Sequence, residues 1–285
     1  MELIRRAADL RAATDAWRAD GTTVGLIPTM GALHEGHDAL IGRARRERDC
    51  VVVSIFVNPL QFTHGEDFDR YPRDEAADVV RAAASGADVV WAPSVDEMYP
   101  PGAVLEEPDP GPLADVFEGA ARPGHFAGVL KAVHRLTDVA GPCAAYFGEK
   151  DAQQLFLVGR MVDALDLQVE IVGCPTVREP DGLARSSRNA FLSPEEREQA
   201  GCLFLGLSEA AALARTGELD APILVAAIAR EVGGTSRARL EYAAVVDEAT
   251  FEPVDTIAGP ARALVAARFP STRLIDNLLL PRSSA

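Results

Sequence analysis

Five short apolar runs between residues 23 and 174 limit the folds open to this chain more than any other feature. The runs lie at residues 23–28, 50–57, 88–92, 144–147 and 169–174. Segments with helical periodicity separate most of them, near residues 37–47, 73–85, 126–140 and 151–164. Strands that alternate with helices indicate a parallel sheet with helices on both faces. The sequence therefore predicts an α/β domain, which we place at residues 1–176.

The pattern changes after Pro175, and we place a second domain at residues 177–285. A polar turn precedes Ser193 and Pro194, which are typical of a helix start because serine caps the helix and proline suits its first turn. Helices are predicted near 194–215 and 222–232, followed by strands at 240–246, 261–268 and 273–280. This combination predicts a smaller α+β domain.

Charge and composition exclude several classes of protein. The formal charge of −15 argues against a general nucleic-acid-binding protein, since such proteins need many basic groups to contact phosphates. No apolar run reaches the ~18 residues of a membrane span, and the amino terminus lacks the apolar core of a secretion signal. We therefore expect a cytoplasmic protein that binds neither nucleic acid nor membrane. The four cysteines form no CxxC pair, so buried reduced thiols fit better than a metal or redox site.

Two histidines follow the first apolar run, in the segment PTMGALHEGH at residues 28–37. The residues after this segment have a helical pattern, so His34 and His37 would lie at a helix amino terminus. Free N–H groups and the helix dipole favour phosphate there. The carboxyl end of a parallel strand is also where α/β proteins hold ligands. Two alternatives stay open: the histidines cap the helix structurally, or they bind zinc, although no further ligand cluster is evident.

Lysine is rare in this chain, because only Lys131 and Lys150 occur among 28 basic residues. An ammonium group on a flexible stem suits a phosphate whose geometry changes, whereas arginine presents a planar fork. Lys150 follows a predicted strand and precedes a helix, which favours a ligand contact. Lys131 lies inside a predicted helix and fits a solvated surface charge.

The segment DGLARSSRN at residues 181–189 holds two hydroxyls and two guanidinium groups within a short span, a dense set of anion donors. Taken alone, it fits an ordinary polar loop better. The chain has no Walker A sequence, and no Gly-x-Gly-x-x-Gly follows the first strand, so a kinase or dehydrogenase function loses most of its support.

Taken together, these motifs closely resemble the pantothenate synthetase (pantoate–β-alanine ligase) family. That family belongs to the nucleotidyltransferase superfamily, and its His-x-Gly-His motif is similar to that of class I aminoacyl-tRNA synthetases. The matching segments occur in the family's order, at residues 28–37, 56–62, 71–73, 122–126, 147–155 and 177–189. The resemblance implies a Rossmann-like domain with a smaller α+β carboxy-terminal lid domain. It also implies ATP-dependent condensation of (R)-pantoate with β-alanine to pantothenate, through pantoyl adenylate, with release of AMP and pyrophosphate.

The resemblance also assigns roles to individual residues. The catalytic residues are His34, His37 and Lys150. The positions that bind ATP are Pro28, Thr29, Met30, His34, Gly36, His37, Gly148, Lys150, Asp151, Val177, Ser186, Ser187 and Arg188. Those that bind pantoate are Met30, Asn58, Gln61, Phe62 and Gln154. The matching residues Tyr71, Arg122 and His125 have open roles, as does Arg185, which stands where the family often has methionine.

Cofactors and partners follow from the same resemblance. It implies ATP with Mg²⁺, whose protein ligands stay unassigned, the small-molecule substrates pantoate and β-alanine, and a homodimer. Ser186, Ser187 and Arg188 would close over the triphosphate from the second domain and exclude water from the adenylate. Two alternatives are another nucleotidyltransferase of the superfamily, such as a cytidylyltransferase, and a non-catalytic nucleotide-binding protein that retains the fold.

Overall fold

The computed structural model describes residues 1–63 and 68–281. The chain divides into two compact units. The first comprises Met1–Glu149 and Gln153–Pro175, and the second comprises Lys150–Ala152 and the residues from Thr176 onward. The short segment that contains Lys150 thus groups with the second unit, although the residues on both sides of it belong to the first.

A parallel sheet forms the centre of the first unit. Its strands are β1 (Glu2–Ile4), β2 (Val24–Thr29), β3 (Cys50–Ile55), β4 (Val89–Trp91), β5 (Cys143–Gly148) and β6 (Val169–Cys174). They are ordered β1-β4-β3-β2-β5-β6, and every neighbouring pair is parallel. Continuous apolar sequences such as CVVVSI in β3 suit strands that are buried on both faces. The predicted α/β parallel sheet is confirmed.

Helices cover both faces of this sheet. They are α1 (Ala7–Ala19), α2 (Glu35–Glu47), α3 (Glu75–Ser85), α4 (Val95–Met98), α5 (Glu118–Ala121), α6 (His125–Ala140) and α7 (Ala152–Ala164). Successive strand residues face opposite ways, so Leu26 and Ile27 belong to different core clusters. Leu26 packs with residues of α1 and α6, whereas Ile27 packs with residues of α2 and α3.

Neither β1 nor α1 is among the elements predicted from the sequence. Strand β1 has three residues at the sheet edge, which is too short for a periodic signal. Helix α1 is rich in alanine and arginine, both good helix formers, and buries Leu10 and Thr14. This composition of good helix formers is the sequence feature from which α1 could have been predicted.

The second unit is a small α+β structure, as predicted. Its elements are α8 (Pro194–Gln199), α9 (Cys202–Arg215), α10 (Ala221–Gly233), β7 (Arg239–Asp247), β8 (Ala261–Arg268) and β9 (Arg273–Leu280). The strands form an antiparallel sheet in the order β7-β8-β9. Helix α8 begins at the predicted serine, since Ser193 and Glu196 form a reciprocal capping box. The single helix predicted at 194–215 is wrong, because the chain breaks between α8 and α9 at Gly201, a residue of low helix propensity.

The four cysteines are free thiols. Cys174 and Cys202 are buried, while Cys50 and Cys143 are only partly buried, so the prediction of buried thiols holds for two of them. Burial raises the pKa of the Cys202 thiol to about 11, which leaves little reactive thiolate at neutral pH. Over residues 1–63 and 68–281, no helix combines the length and apolar character needed to cross a membrane.

Candidate active site

The site in the first unit begins where β2 ends. Pro28 and Thr29 are the last residues of β2, and Gly148 is the last residue of β5. The Thr29 hydroxyl donates to the Ser54 carbonyl at 2.6 Å and accepts from the Gly31 N–H at 3.1 Å. These bonds fix the chain direction as it leaves the carboxyl edge of the sheet, the edge at which α/β proteins bind ligands.

A carboxylate that was not predicted from the sequence holds the loop after β2. Asp78 of α3 is 5% exposed and accepts from the Ala32 N–H at 2.8 Å and the Leu33 N–H at 2.7 Å. The loop needs this support because Ala32 has a φ of 50°, which is unfavourable for a residue with a Cβ. A Cβ on Gly31 would lie 2.7 Å from the Asp78 carboxylate, so the approach requires glycine. The role of Asp78 could have been suspected from the sequence, because it is an acid on the apolar face of a predicted helix.

The same face of α3 also holds the start of α2. Arg81 donates to Asp38 through Nε at 3.0 Å and through a terminal nitrogen at 2.7 Å, and the Ser85 hydroxyl donates at 2.8 Å. Burial alone would raise the pKa of Asp38, but the hydrogen bonds from Arg81 and Ser85 outweigh it and hold that pKa below its ordinary value. Helix α3 therefore positions both the loop and the helix that carries the histidines.

The two histidines cap α2 through their Nδ1 atoms. His34 is the N-cap residue, and its Nδ1 accepts from the Gly36 N–H at 3.1 Å. The Nδ1 of His37 accepts from the His34 N–H at 3.1 Å, and the ring centroids are 4.2 Å apart. A neutral imidazole that accepts at Nδ1 carries its hydrogen on Nε2. Both histidines therefore cap α2, and in this form each ring carries an N–H donor at its other nitrogen.

Three predicted pantoate residues contact one another near the end of β3. Asn58 is 1% exposed and donates from Nδ2 to Gln61 Oε1 at 3.1 Å and to the Gly128 carbonyl at 3.0 Å. The Gln61 amide nitrogen lies 2.9 Å from the sulfur of Met30. The Tyr99 hydroxyl donates to Asn58 Oδ1 at 2.9 Å, which fixes the orientation of that amide. The structure therefore brings Met30, Asn58 and Gln61 together.

Arg122 and His125 hold the backbone of Gln61. His125 Nδ1 lies 2.7 Å from the Gln61 carbonyl oxygen, and Arg122 lies 2.9 Å from His125 Nε2. Since a guanidinium can only donate, Nε2 accepts and the Nδ1–H donates to the carbonyl. Arg122 also donates to the same carbonyl at 3.3 Å. These two residues, whose roles the sequence left open, position a predicted pantoate residue.

Aromatic and amide side chains complete the predicted pantoate set. Phe62 makes an edge contact with the buried ring of Tyr71, with centroids 6.0 Å apart. Gln154 lies in the first turn of α7 and is half-buried. Its neighbour Gln153, which is not among the predicted site residues, is buried and donates to the carbonyls of Leu113 and Val116 at 2.8 and 3.0 Å.

The second unit carries the other predicted ATP residues. The Lys150 side chain is 19% exposed, and its Nζ lies 3.6 Å from Asp151 Oδ1. Ser186 accepts from the Arg188 N–H at 3.3 Å and caps the short 3-10 helix Ser187–Phe191.

Two further basic residues form ion pairs. Arg185, whose role was open, lies 3.5 Å from Glu179 and donates its N–H to the Val177 carbonyl at 2.9 Å. Lys131 pairs with Glu107 at 2.6 Å and is 25% exposed. The ammonium of Lys131 thus forms an ion pair with the exposed carboxylate of an acid 24 residues earlier in the chain, as a surface charge does.

The acidic side chains of the described residues suit a metal ion that binds together with a ligand, and not one that the protein holds alone. In the described part of the chain, no group of three or more His, Cys, Asp or Glu residues is arranged to hold a metal. Mg²⁺ commonly binds through one or two carboxylates plus substrate phosphates, without a complete protein cage. Asp151, half exposed beside Lys150, is a carboxylate that fits this mode.

Comparison with known proteins gives a consistent result. The sequence profile of the pantoate–β-alanine ligase family matches residues 2–279. The pantothenate synthetase of Rhizorhabdus wittichii is 51% identical over 280 residues, which cover 98% of both chains. That of Rubrobacter xylanophilus is 49% identical, again with 98% of both chains covered.

Solved structures agree with the sequence matches. The pantothenate synthetase of Thermus thermophilus superposes with a TM-score of 0.92 at 47% identity, covering 98% of this chain and 99% of that one. The pantoate–β-alanine ligase of Francisella tularensis, solved in complex with β-γ ATP and β-alanine, has a TM-score of 0.79 at 33% identity over 98% and 97% of the chains. The chain described here belongs to the pantoate–β-alanine ligase family, enzymes that condense pantoate with β-alanine in an ATP-dependent reaction.

Proposed function

We propose that this ligase activates pantoate as pantoyl adenylate. The pantoate carboxylate attacks the α-phosphorus of ATP and pyrophosphate leaves; the β-alanine amine then attacks the acyl carbon and AMP leaves. A carboxylate is already ionised at neutral pH, so the first step needs no strong base. It needs positive groups and N–H donors that allow two anions to meet and that stabilise charge on the phosphoryl oxygens.

The observation that carries this proposal is the start of α2. There, His34 and His37 cap the helix through Nδ1 and carry N–H donors at Nε2. A helix amino terminus with two such donors suits a triphosphate, because the helix dipole and the N–H groups favour the same negative charge. We assign both histidines to the phosphates of ATP, with Pro28, Thr29, Met30 and Gly36 shaping the nucleotide site.

We assign the ammonium of Lys150 to the phosphoryl oxygens on which charge grows. Its support is chemical: a lysine whose side chain is 19% exposed, in a chain with one other lysine. Gly148, Asp151 and Val177 are assigned to the nucleotide, and Ser186, Ser187 and Arg188 to the triphosphate. We further propose that residues 177–285 act as a lid domain and that residues 1–176 form the nucleotide- and pantoate-binding domain.

The pantoate site is proposed to combine amides with apolar surface, as a molecule with two hydroxyls and a gem-dimethyl group requires. The contacts among Met30, Asn58 and Gln61 support this assignment, since they hold two amide groups beside a thioether. Gln154 and Phe62 are assigned to the same substrate. Arg122 and His125 act through Gln61, and Tyr71 acts through Phe62.

Mg²⁺ is proposed to accompany ATP, with Asp151, whose carboxylate lies 3.6 Å from the Lys150 ammonium, as a protein ligand. The ion would supply charge neutralisation on the phosphates. The remaining task of the protein is to orient the carboxylate toward the α-phosphorus in the first step and the amine toward the acyl carbon in the second. Well-oriented reactants can lower a barrier by ~7–11 kcal/mol.

We also propose that the enzyme works in the cytoplasm as a homodimer. The free thiols of all four cysteines support a reducing compartment. Sedimentation equilibrium tests the dimer, with a mass near twice 30.3 kDa expected.

Pyrophosphate exchange into ATP tests the proposed function. Exchange that requires (R)-pantoate and does not require β-alanine is expected, because adenylate formation precedes the amine step. Exchange in the absence of pantoate, or with a cytidine nucleotide in place of ATP, would instead support another nucleotidyltransferase. Nucleotide binding without exchange under any condition would support a non-catalytic protein.

A further inference from the structure

A buried amide on β9 contacts the main chain of Lys150. Asn277 is 4% exposed, and its Nδ2 donates to the Lys150 carbonyl oxygen at 2.9 Å. Its other amide atom, Oδ1, accepts from Arg262 at 2.6 Å. Because a guanidinium can only donate, Oδ1 must face Arg262 and the NH₂ group must face Lys150. The orientation of this amide is therefore fixed by charge.

Arg262 is itself held in place. It is 7% exposed and donates to both carboxylate oxygens of Glu248, at 2.9 and 2.7 Å. Planar two-point pairing of this kind fixes a guanidinium in orientation as well as in position. A chain of hydrogen bonds thus runs from Glu248 through Arg262 and Asn277 to the main chain of Lys150.

The residue before Asn277 holds the segment that leads to the serines. Asp276 is 4% exposed and pairs at two points with Arg178, at 2.6 and 3.0 Å. Arg178 also donates to the Gly182 carbonyl at 2.9 Å. Adjacent residues of β9 therefore fix Lys150 on one side and the segment before Ser186 on the other.

From this geometry we propose that Asn277 is a positioning residue for Lys150 in the adenylation step. The inference rests on the role proposed above for Lys150. The Lys150 side chain can rotate at four methylene groups, but the region that its ammonium can reach is still set by the position of its Cα and the direction of its Cα–Cβ bond. The bond from Asn277 fixes the middle residue of the turn Glu149–Asp151, and with it that direction. A misplacement of about 1 Å can cost about 100-fold in rate.

Asn277→Asp tests the inference with a side chain of the same shape. An aspartate keeps an oxygen toward Arg262 but puts an acceptor opposite the Lys150 carbonyl, where a donor is needed. We expect pantoate-dependent pyrophosphate exchange to fall about 10- to 100-fold. The second half-reaction, in which preformed pantoyl adenylate reacts with β-alanine, should change by less than about threefold, since it moves no charge onto pyrophosphate.

A double substitution separates positioning from a general structural effect. If Asn277 acts through the lysine ammonium, Asn277→Asp has no further effect on exchange in a Lys150→Ala background. Losses that multiply in the double variant would overturn the inference. So would equal losses in both half-reactions, or wild-type exchange by Asn277→Asp. Undiminished exchange by Lys150→Ala would instead overturn the proposed role of the lysine, on which the inference depends.

Control variants guard against a folding defect. Glu241→Gln removes a carboxylate on β7 that accepts from Arg268 at 3.1 Å and Arg273 at 2.6 Å, in the same sheet. It should lower the thermal midpoint while leaving exchange within about twofold of wild type. If Asn277→Asp lacks native circular dichroism, Asn277→Ser removes the amide donor without adding charge, and the same half-reaction split is expected. Equal half-reaction losses in a folded Asn277→Ser protein would overturn the inference.

Discussion

The imidazole of His34 lies over Gly36, so that a Cβ at residue 36 would come 2.8 Å from His34 Cε1 and 2.9 Å from its Nδ1. The Gly36 N–H is also the donor that this Nδ1 accepts. The His-x-Gly-His motif therefore needs glycine at this position, because the first histidine ring packs directly against it.

Gly36→Ala should separate activity from stability. The added methyl group must displace the His34 ring, so we expect exchange to fall about 10- to 100-fold. Helix propensity favours alanine over glycine, and this gain offsets the weakened His34 cap, so the free energy of unfolding should change little. Gly42→Ala in the same helix is the matched control, because a Cβ there meets only an Arg46 side-chain nitrogen at 3.7 Å. It should gain about 0.5–1 kcal/mol in urea unfolding and keep full activity. Equal activity in the two variants would contradict this account.

Asp78→Asn should destabilise the first unit. The carboxylate accepts two N–H groups of the loop, whereas an amide offers one oxygen and turns a donor toward the second N–H. We expect a loss of about 1–3 kcal/mol in the free energy of unfolding, measured with urea, together with reduced exchange. Asp74→Asn is the control, since Asp74 caps the same helix and asparagine caps equally well. If both variants lost the same stability, Asp78 would have no special role in the loop.

The ion pair between Arg81 and Asp38 should give the stability a measurable pH dependence. A carboxyl whose pKa is lowered in the folded state contributes stability above its unfolded pKa, and that contribution disappears as the pH falls through the lowered value. Arg81→Gln should therefore lose about 0.5–1 kcal/mol at pH 7, after allowance for solvent screening, and progressively less below about pH 4. Urea titrations at several pH values measure the difference in the free energy of unfolding between the wild type and Arg81→Gln. Arg230→Gln, which removes an exposed pair with Glu209, should show little effect at pH 7. If the stability difference between the wild type and Arg81→Gln stayed constant down to pH 3, it would be inconsistent with this ion pair.

The two lysines offer a comparison within one protein. Lys150→Ala should reduce pantoate-dependent exchange about 100- to 1000-fold, the usual effect of removing a group that stabilises transition-state charge. Lys131→Ala breaks one ion pair with the exposed Glu107 and should leave exchange within about twofold of wild type. Comparable losses at both positions would show that the scarcity of lysine carries no functional information.

Much of the fold could be predicted because its signal is local. Strand β3 is a continuous apolar run, and β8 and β9 lie at the predicted residues 261–268 and 273–280. The start of α8 was visible because a capping box is complete within four residues. The break at Gly201 and the short edge strand β1 were missed, since neither has a distinctive pattern.

The supports of the site could not be predicted, because they connect residues far apart in sequence. Asp78 reaches amides 46 and 45 residues away, and Asn277 reaches a carbonyl 127 residues away. A hydrogen bond from a side chain to a main-chain carbonyl does not depend on the identity of the residue that carries the carbonyl. The sequence near Lys150 therefore gives no sign of the hydrogen bond from Asn277. The chemical groups could thus be found in the motifs, whereas the residues that hold them required the structure.

The use of Nδ1 by both histidines changes how their substitution should be interpreted. His34→Ala removes a helix cap together with the distant ring nitrogen, so the loss it causes is a sum of two effects. Asparagine is a good N-cap residue and offers an oxygen near the position of Nδ1, but it has no atom where Nε2 lies. The difference between His34→Ala and His34→Asn therefore measures how much of the motif serves the architecture of α2, and the residual defect of His34→Asn measures its chemistry.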